Sequence, residues 1–233
     1  MKLDRNILIS ALILVVLFLF SGSCSKKGVS IPNPKPGGSV TDIDGNVYKT
    51  VIIGNQEWMA ENLKVTRYRN GDTIPNVRDT AWVSLLTGAY CWYNDDSVTN
   101  KKSYGALYNW YAVNESRGLA PDGWHIPSDV EWTTLTTFVG GDSIAAIKLK
   151  EKGKTHWLNP NAASTNETGF TALPGGSLYN KENYSYLGNY GYWWSSTEET
   201  LSTAWFRGMY YSSAVFRNNS AKSNGYSVRC VKN

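Results

Sequence analysis

The sequence is poor in the residues that usually carry chemistry. It has only two histidines in 233 residues, His125 and His156, and their separation excludes the close spacing of a helical metal-ligand pair. It has neither a Gly-x-Ser-x-Gly nucleophile elbow nor a phosphate-binding loop. His125 directly precedes a helix-capping pattern, which favours a structural hydrogen bond over catalysis. The sequence therefore predicts no catalytic set and no metal site.

A strong charge of one sign is also missing. The chain has 23 basic and 19 acidic residues, a formal net charge of +4. This balance argues against a nucleic-acid partner. We expect no cofactor. A structural calcium ion at Asp95 and Asp96 stays open, although two adjacent acids are more typical of a solvated turn than of a six-oxygen site.

Long apolar runs are absent except at the start of the chain. Residues 7–20 form an apolar run that is too short for a membrane span, and Ser21-Gly22-Ser23 lies between it and Cys24. This pattern predicts a signal peptide over residues 1–23. The site resembles the lipobox of bacterial lipoproteins, with Ser21 where leucine is usual. The resemblance implies diacylglycerol and acyl chains such as palmitate on Cys24, and so a membrane partner through a lipid anchor. The alternative is an ordinary cleaved signal followed by an incidental cysteine.

Residues 24–39 are rich in proline, glycine and lysine, which indicates a tether between the lipid and a domain. Surface-directed lipoproteins of the Bacteroidota type tend to carry acidic residues after the lipidated cysteine, whereas this chain has Ser25-Lys26-Lys27. The departure favours the periplasm-facing side of a bacterial outer membrane over the cell surface.

Residues 40–233 have the length of one domain. Turn residues and aromatics dominate them, which predicts short strands around a tryptophan-rich core. Two cysteines remain after Cys24. In an oxidising compartment Cys91 and Cys230 are most simply a disulfide, and the alternative is two separately buried thiols.

Local patterns place a few elements. Ser128 and Glu131 form a capping box, which predicts a helix that ends at Gly140-Gly141. Apolar spacing predicts further helices over residues 104–115 and 143–152. The predicted strands include residues 170–173, 192–195, 204–209 and 226–231, the last alternating as a half-buried antiparallel strand does.

Seven motifs in order resemble the Fibrobacter succinogenes major paralogous domain. They occupy residues 44–48, 58–63, 104–110, 123–132, 169–176, 194–198 and 225–231. Two of them are also similar to sulfatase-modifying, formylglycine-generating-enzyme-like domains. That resemblance implies an α+β, C-type-lectin-like fold with short antiparallel strands, two to three helices and long loops. The copper-binding cysteine pair of those enzymes is reduced here to Cys230, which argues against their oxidase reaction.

The excess of tyrosine near asparagine, glycine and serine is typical of adaptable binding loops. The candidate ligand-binding residues are Tyr184, Tyr186, Tyr190, Tyr210, Tyr211 and His156. For the tryptophans of the patterned elements a core position is favoured over a binding role. For His156, which lies in a polar loop, an ordinary exposed histidine is the alternative.

These observations favour a non-enzymatic binding or adhesion module, lipid-anchored in the envelope, with a glycan or an envelope protein as its ligand. Two alternatives stay open. One is an enzyme related to sulfatase-modifying factors with altered chemistry. The other is a purely structural envelope lipoprotein whose aromatic residues all lie in the core.

Overall fold

The chain builds mainly short strands, with helices between them. The computed structural model describes residues 34–78, 80–158, 160–161, 163–179 and 183–233. The predicted signal peptide, Cys24 and most of the predicted tether lie outside these residues. The chain from Ile31 to Asn233 forms one compact unit. None of the helices in the described part has the length and apolarity needed to cross a membrane.

The first sheet joins the two ends of this unit. Its order is β1-β2-β3-β12-β6, and all its pairings are antiparallel. The strands are β1 (Lys35–Thr41), β2 (Val47–Ile53), β3 (Gln56–Met59), β6 (Trp124–His125) and β12 (Val231–Lys232). The Asp42 carboxylate accepts hydrogen bonds from the amides of Asp44 and Asn46, which fixes the turn between β1 and β2.

The second sheet, together with its connections, carries three of the four exposed aromatic residues of the described chain, Tyr179, Tyr186 and Tyr211. Its order is β11-β10-β9-β7-β8, with one parallel contact, between β7 and β9. The strands are β7 (Gly175–Tyr179), β8 (Asn183–Leu187), β9 (Gly191–Glu198), β10 (Thr203–Met209) and β11 (Val215–Ala221). A small two-stranded ladder joins β4 (Tyr90–Cys91) to β5 (Leu107–Tyr108).

The described residues contain four α-helices rather than the two or three that the sequence predicts. They are α1 (Ser97–Tyr104), α2 (Trp110–Val113), α3 (Asp129–Phe138) and α4 (Asp142–Leu149). The capping box at α3 is confirmed, because Ser128 accepts from the Glu131 amide and Glu131 from the Ser128 amide. The predicted helix over residues 104–115 is mostly wrong: Leu107 and Tyr108 enter β5, and only α2 remains.

The tryptophans fill the core, as predicted. Trp58, Trp132, Trp193 and Trp194 are completely buried, and Trp110 and Trp124 nearly so. Trp205 is the exception, since it is half-buried beneath the guanidinium group of Arg217 at 3.4 Å from its ring centroid. The buried side chains form two large hydrophobic clusters. One lies on each side of residues 226–230, which lead to β12.

That final segment differs from the half-exposed strand predicted over residues 226–231. All its residues are buried, and regular pairing is confined to Val231 and Lys232. The alternation is real, but Tyr226, Val228 and Cys230 face one core cluster while Val231 belongs to the other. Alternation along a strand usually places one set of side chains in the core and the other in solvent. In residues 226–231 both sets are buried, each against a different hydrophobic cluster.

The cysteines also differ from the favoured expectation. Cys91 and Cys230 are free thiols in different core clusters, so the structure corresponds to the alternative of separate buried thiols. Cys91 is held in β4 opposite Leu107, and the Cys230 carbonyl accepts from the Met59 amide next to β3. Burial raises the pKa of the Cys91 thiol to about 12, which leaves it protonated and unreactive.

We therefore expect a reductant to leave the stability of the domain unchanged. A disulfide that closes so long a loop would contribute about 3–5 kcal/mol to the free energy of unfolding. The measurement is urea unfolding of a Cys24→Ala protein, purified under oxidising conditions, with and without dithiothreitol. A reductant-dependent loss of more than about 2 kcal/mol would contradict the free-thiol arrangement.

Candidate ligand-binding site

One face of the second sheet concentrates aromatic side chains. In the register of β9, β10 and β11, Tyr192 lies opposite Gly208, and Gly208 lies opposite Phe216. Because side chains alternate along a strand, Trp194 and Phe206 share this face with Tyr192 and Phe216. Trp194 and Phe206 are buried, whereas Tyr192 and Phe216 are only half-buried. The face therefore runs from the core out to solvent.

Four tyrosine rings form a continuous stack along this face. Tyr226 stacks on Tyr192 at 5.1 Å between ring centroids, Tyr192 on Tyr190 at 5.7 Å, and Tyr190 on Tyr210 at 5.3 Å. The last two pairs are nearly parallel, with interplanar angles of 4° and 5°. Offset stacking is the arrangement that the ring quadrupole favours. Since Tyr226 is only 4% exposed, the stack is rooted in the core.

Two more tyrosines complete the outer rim. Tyr211 is 58% exposed and meets Tyr210 edge-on at 4.7 Å, and Tyr186 is 55% exposed and meets Tyr190 at 5.0 Å. We call this surface the tyrosine platform, comprising Tyr186, Tyr190, Tyr192, Tyr210 and Tyr211. The structure thus brings together four of the six residues that the sequence nominates.

Phe216 supports the tyrosine platform from the neighbouring strand. Its ring lies 5.8 Å from that of Tyr210 and 6.2 Å from that of Tyr192. Sequence reasoning missed Tyr192 and Phe216 as site residues. The available signal was spacing, because Tyr192 begins the strand predicted over residues 192–195 and lies two residues beyond Tyr190, the separation at which residues of an extended chain share a face. No local signal identified Phe216, whose role depends on the register of β11 against β10.

Tyr186 is held in a strained backbone conformation. Its φ is 69°, in the left-handed region that bulky side chains avoid at a cost of about 1–2 kcal/mol. The amides of Asn189 and Tyr190 donate to the Tyr186 carbonyl at 2.9 and 3.0 Å, and the Gly188 amide donates to Pro174. Strain of this kind persists only where the surroundings over-determine it, and it is concentrated at functional sites. Here it fixes the exposed ring of Tyr186 beside Tyr190.

The platform tyrosines that are packed most closely stay uncharged near neutral pH. Burial raises the pKa of the Tyr192 hydroxyl, and the neighbouring tyrosine hydroxyls raise it further. Burial, followed by the hydroxyls of Tyr211, Tyr210 and Tyr186, also raises the pKa of Tyr190. The surface is therefore aromatic and hydroxyl-bearing without being anionic.

The remaining two predicted residues lie apart from the tyrosine platform. The Tyr184 hydroxyl donates to Asp95 at 2.9 Å, and its ring packs on Tyr93 at 5.3 Å. His156 lies with Nδ1 2.8 Å from a Glu151 oxygen and packs edge-on against Tyr104. Both side chains have structural partners that hold them away from the platform.

Other titratable groups are likewise engaged in the fold. His125 lies 2.7 Å from a Glu131 oxygen through Nε2 and 2.7 Å from the Asn233 side-chain oxygen through Nδ1, so the predicted hydrogen bond is present. Burial alone would raise the pKa of Glu131, but hydrogen bonds from Ser128 and His125 hold it below its ordinary value. The contact between His125 and Glu131 holds β6 against the start of α3.

The described residues contain no group of three or more His, Cys, Asp or Glu side chains that could hold a metal ion. Of the two acids singled out for calcium, Asp96 caps α1 by accepting from the Thr99 amide, and Asp95 accepts from Tyr184. Three clefts of about 220, 270 and 260 Å³ lie elsewhere on the surface, and none of the three is lined by the tyrosine platform. The platform is an open surface rather than one of these clefts.

Comparison with known proteins gives one match. Residues 51–232 match the family described as the Fibrobacter succinogenes major domain. No curated protein and no solved structure matches the chain.

Proposed function

The chain belongs to the Fibrobacter succinogenes major domain family, and we propose that this member binds a glycan on its tyrosine platform. The proposal rests on one observation: a stack of tyrosine rings that begins in the core and is flanked at its outer end by two tyrosine rings that are more than half exposed. Tyrosine supplies a large, rigid contact surface at a small cost in side-chain entropy. A core-packing role alone leaves the exposed rims of Tyr186 and Tyr211 unexplained.

The chemistry of the tyrosine platform favours a sugar over a charged ligand. The face of a pyranose ring presents C–H bonds, which suit the negative face of an aromatic ring, and tyrosyl hydroxyls can bond to the sugar hydroxyls. Tyr190 and Tyr192 have raised pKa values and remain neutral, so the surface carries no charge that would select an ion. A neutral glycan with flat ring faces is the ligand class that we propose.

The proposal extends to the fold and to the location. The α+β architecture, with short antiparallel strands and long connections, is compatible with the C-type-lectin-like fold that the sequence motifs imply. We propose that a lipid on Cys24 anchors the protein in the outer membrane of a bacterial envelope, facing the periplasm. The sequence pattern of residues 1–39 supports the anchor and the tether. Such a tether lets the tyrosine platform search for a ligand close to the membrane.

A glycan-binding measurement with matched tyrosine variants tests the function. The probe is chitohexaose, whose ring substituents are all equatorial, within a wider glycan array. We expect Tyr186→Ala and Tyr211→Ala each to weaken binding about tenfold, because each removes about 1.4 kcal/mol of aromatic contact. Tyr179→Ala is the matched control, since Tyr179 is 50% exposed but is not part of the tyrosine platform. Titration calorimetry gives the dissociation constants.

The outcomes separate the candidate functions. An equal loss of affinity in all three variants would mean that the tyrosine platform is not the site. If no glycan on the array binds but an envelope protein is captured by the wild-type chain and not by Tyr211→Ala, the ligand is a protein. Failure of both assays removes the binding proposal and leaves a structural lipoprotein.

A further inference from the structure

A buried lysine contacts the loop that carries two of the five residues of the tyrosine platform, Tyr210 and Tyr211. Lys150 follows α4 and is only 2% exposed. Its Nζ donates to the carbonyl oxygens of Tyr210 at 2.8 Å and of Ser212 at 3.2 Å. Tyr210 and Ser212 belong to the connection between β10 and β11, which also carries Tyr211. The amine thus contacts the backbone on both sides of the exposed Tyr211 ring.

The ammonium group of Lys150 makes two hydrogen bonds and one cation–π contact. The loop carbonyls accept the two hydrogen bonds, and the ammonium group lies 4.9 Å from the centroid of the Trp157 ring, where a cation is favoured. Within the described residues Lys150 forms no ion pair. Two carboxylates that follow Lys150 in the chain are engaged elsewhere, Glu151 with His156 at 2.8 Å and Glu167 with Lys148 at 3.2 Å.

We propose that Lys150 is a positioning residue for the tyrosine platform, and that its ammonium group fixes the Tyr210–Ser212 backbone so that ligand binding depends on solvent pH. The second half of this inference rests on the proposed function. The first half concerns the ligand-free protein and stands on the geometry of the loop.

The physical reason is the difference between an ammonium group and an amine. Burial lowers the pKa of Lys150 to about 8. Above that pH the group has two protons and a lone pair, so its hydrogen bonds to the two carbonyls weaken and its attraction to Trp157 is lost. The loop then becomes less constrained. We expect ligand affinity to fall as pH rises through about 8.

The same titration has the opposite effect on global stability. The lysine in the unfolded chain keeps its proton up to its ordinary pKa of about 10.4, whereas the folded chain releases it near 8. Between these values the unfolded state binds more protons, so the contribution of Lys150 to the free energy of unfolding rises with pH. A fall in binding in the same pH range therefore cannot come from a loss of stability at this residue.

The other titratable groups on the elements packed around Lys150 lie on α4, on the following segment and on the loop. They are Asp142, Lys148, Glu151, His156, Tyr210 and Tyr211. Because all six are present both in the wild-type protein and in Lys150→Met, a comparison of the two proteins assigns a midpoint near pH 8 to Lys150.

The first experiment needs no ligand. The backbone amide resonances of Ser212, Ser213 and Ala214 are followed by NMR from about pH 6.5 to about pH 9.5. We expect these resonances to shift with one midpoint near pH 8 in the wild-type protein and in Lys148→Met, a matched lysine variant two residues earlier. In Lys150→Met we expect the shift to disappear. Amides that do not titrate in the wild-type protein overturn the inference even if Lys150→Met fails to fold.

The second experiment measures chitohexaose affinity in the same proteins at about pH 7 and about pH 9. We expect the wild-type protein and Lys148→Met to lose about fivefold to tenfold in affinity, and Lys150→Met to bind weakly and equally at both values. Titrating amides with pH-independent binding would overturn the inference. Titrating amides without chitohexaose binding at either pH would support the link between Lys150 and the loop and count against the proposed glycan function.

Discussion

Replacing Asn62 by leucine is expected to lower the free energy of unfolding by about 3–5 kcal/mol. The side-chain oxygen of Asn62 accepts hydrogen bonds from Nη2 of Arg229 at 2.8 Å and from Nε1 of Trp193 at 2.8 Å. Its amide nitrogen donates to the Tyr104 carbonyl at 2.9 Å. Leucine would leave each of these buried groups without its partner. A buried donor that loses its acceptor costs more than the bond itself contributes.

The cost is large because Arg229 carries a buried charge. Its guanidinium group is 1% exposed, lies 4.3 Å from the centroid of the Phe170 ring, and also donates to the carbonyl oxygen of Phe170. Burial lowers the pKa of Arg229 to about 9, which shows how poorly solvated this cation is. Asn62 supplies the only side-chain oxygen among the described hydrogen-bond partners of Arg229.

Urea unfolding with matched variants measures this effect. Asn219→Leu is the control, because Asn219 is exposed on β11 and its replacement should change the free energy of unfolding by less than about 0.5 kcal/mol. The double variant Asn62→Leu with Arg229→Leu should recover part of the loss, since it removes the stranded charge. A loss below about 1 kcal/mol for Asn62→Leu would mean that the buried groups find other partners.

The second large effect is expected at Gly208, where the strand has no room for a side chain. A Cβ atom at this position would lie 2.0 Å from Cζ of Phe216. The Phe216 ring also packs at 5.9 Å against Phe206, so it cannot move without losing that contact. We expect Gly208→Ala to lower the free energy of unfolding by about 1–3 kcal/mol. Ligand affinity should fall as well, because Phe216 supports Tyr210 and Tyr192.

A double-mutant cycle separates this clash from a general effect of alanine in a strand. In a Phe216→Ala background the ring is gone, and adding Gly208→Ala should cost less than about 0.5 kcal/mol. Chemical unfolding gives the stabilities, and chitohexaose titration gives the affinities. Equal costs in both backgrounds would show that the space beside Gly208 is not what constrains the strand.

The sequence correctly predicts those helices and strands that are determined by contacts between residues close together in the chain. The start of α3 is correct because Ser128 and Glu131 satisfy each other within four residues. Helix α1 was missed, since its residues are mostly polar and its start depends on a single cap from Asp96. The sequence also does not predict that residues 226–231 are buried on both faces. The burial of Arg229 on the second face depends on its hydrogen bond to Asn62, which is far away in the chain.

The candidate site follows the same rule. Composition predicts that Tyr186, Tyr190, Tyr210 and Tyr211 are exposed loop tyrosines, and the structure places them together. Only Tyr186 and Tyr211 are exposed, however, and Tyr186 lies in β8. Composition could not tell that Asp95 holds Tyr184 and that Glu151 holds His156, since both depend on folding. The buried Lys150 was overlooked for a related reason: a lysine at the end of a helix is expected in solvent, and only the loop above it explains its burial.

The position of β12 has a consequence for how fast the domain folds. Val231 pairs with Trp58 on one side and with His125 on the other, so the centre of the first sheet joins segments from opposite ends of the described chain. Such high contact order imposes a large loop-closure entropy before the sheet can form, and proteins of this kind fold slowly compared with helical ones. The sheet cannot close until almost the whole domain has left the ribosome. The chain therefore lacks an inner strand of its first sheet for most of the time during which it is synthesised.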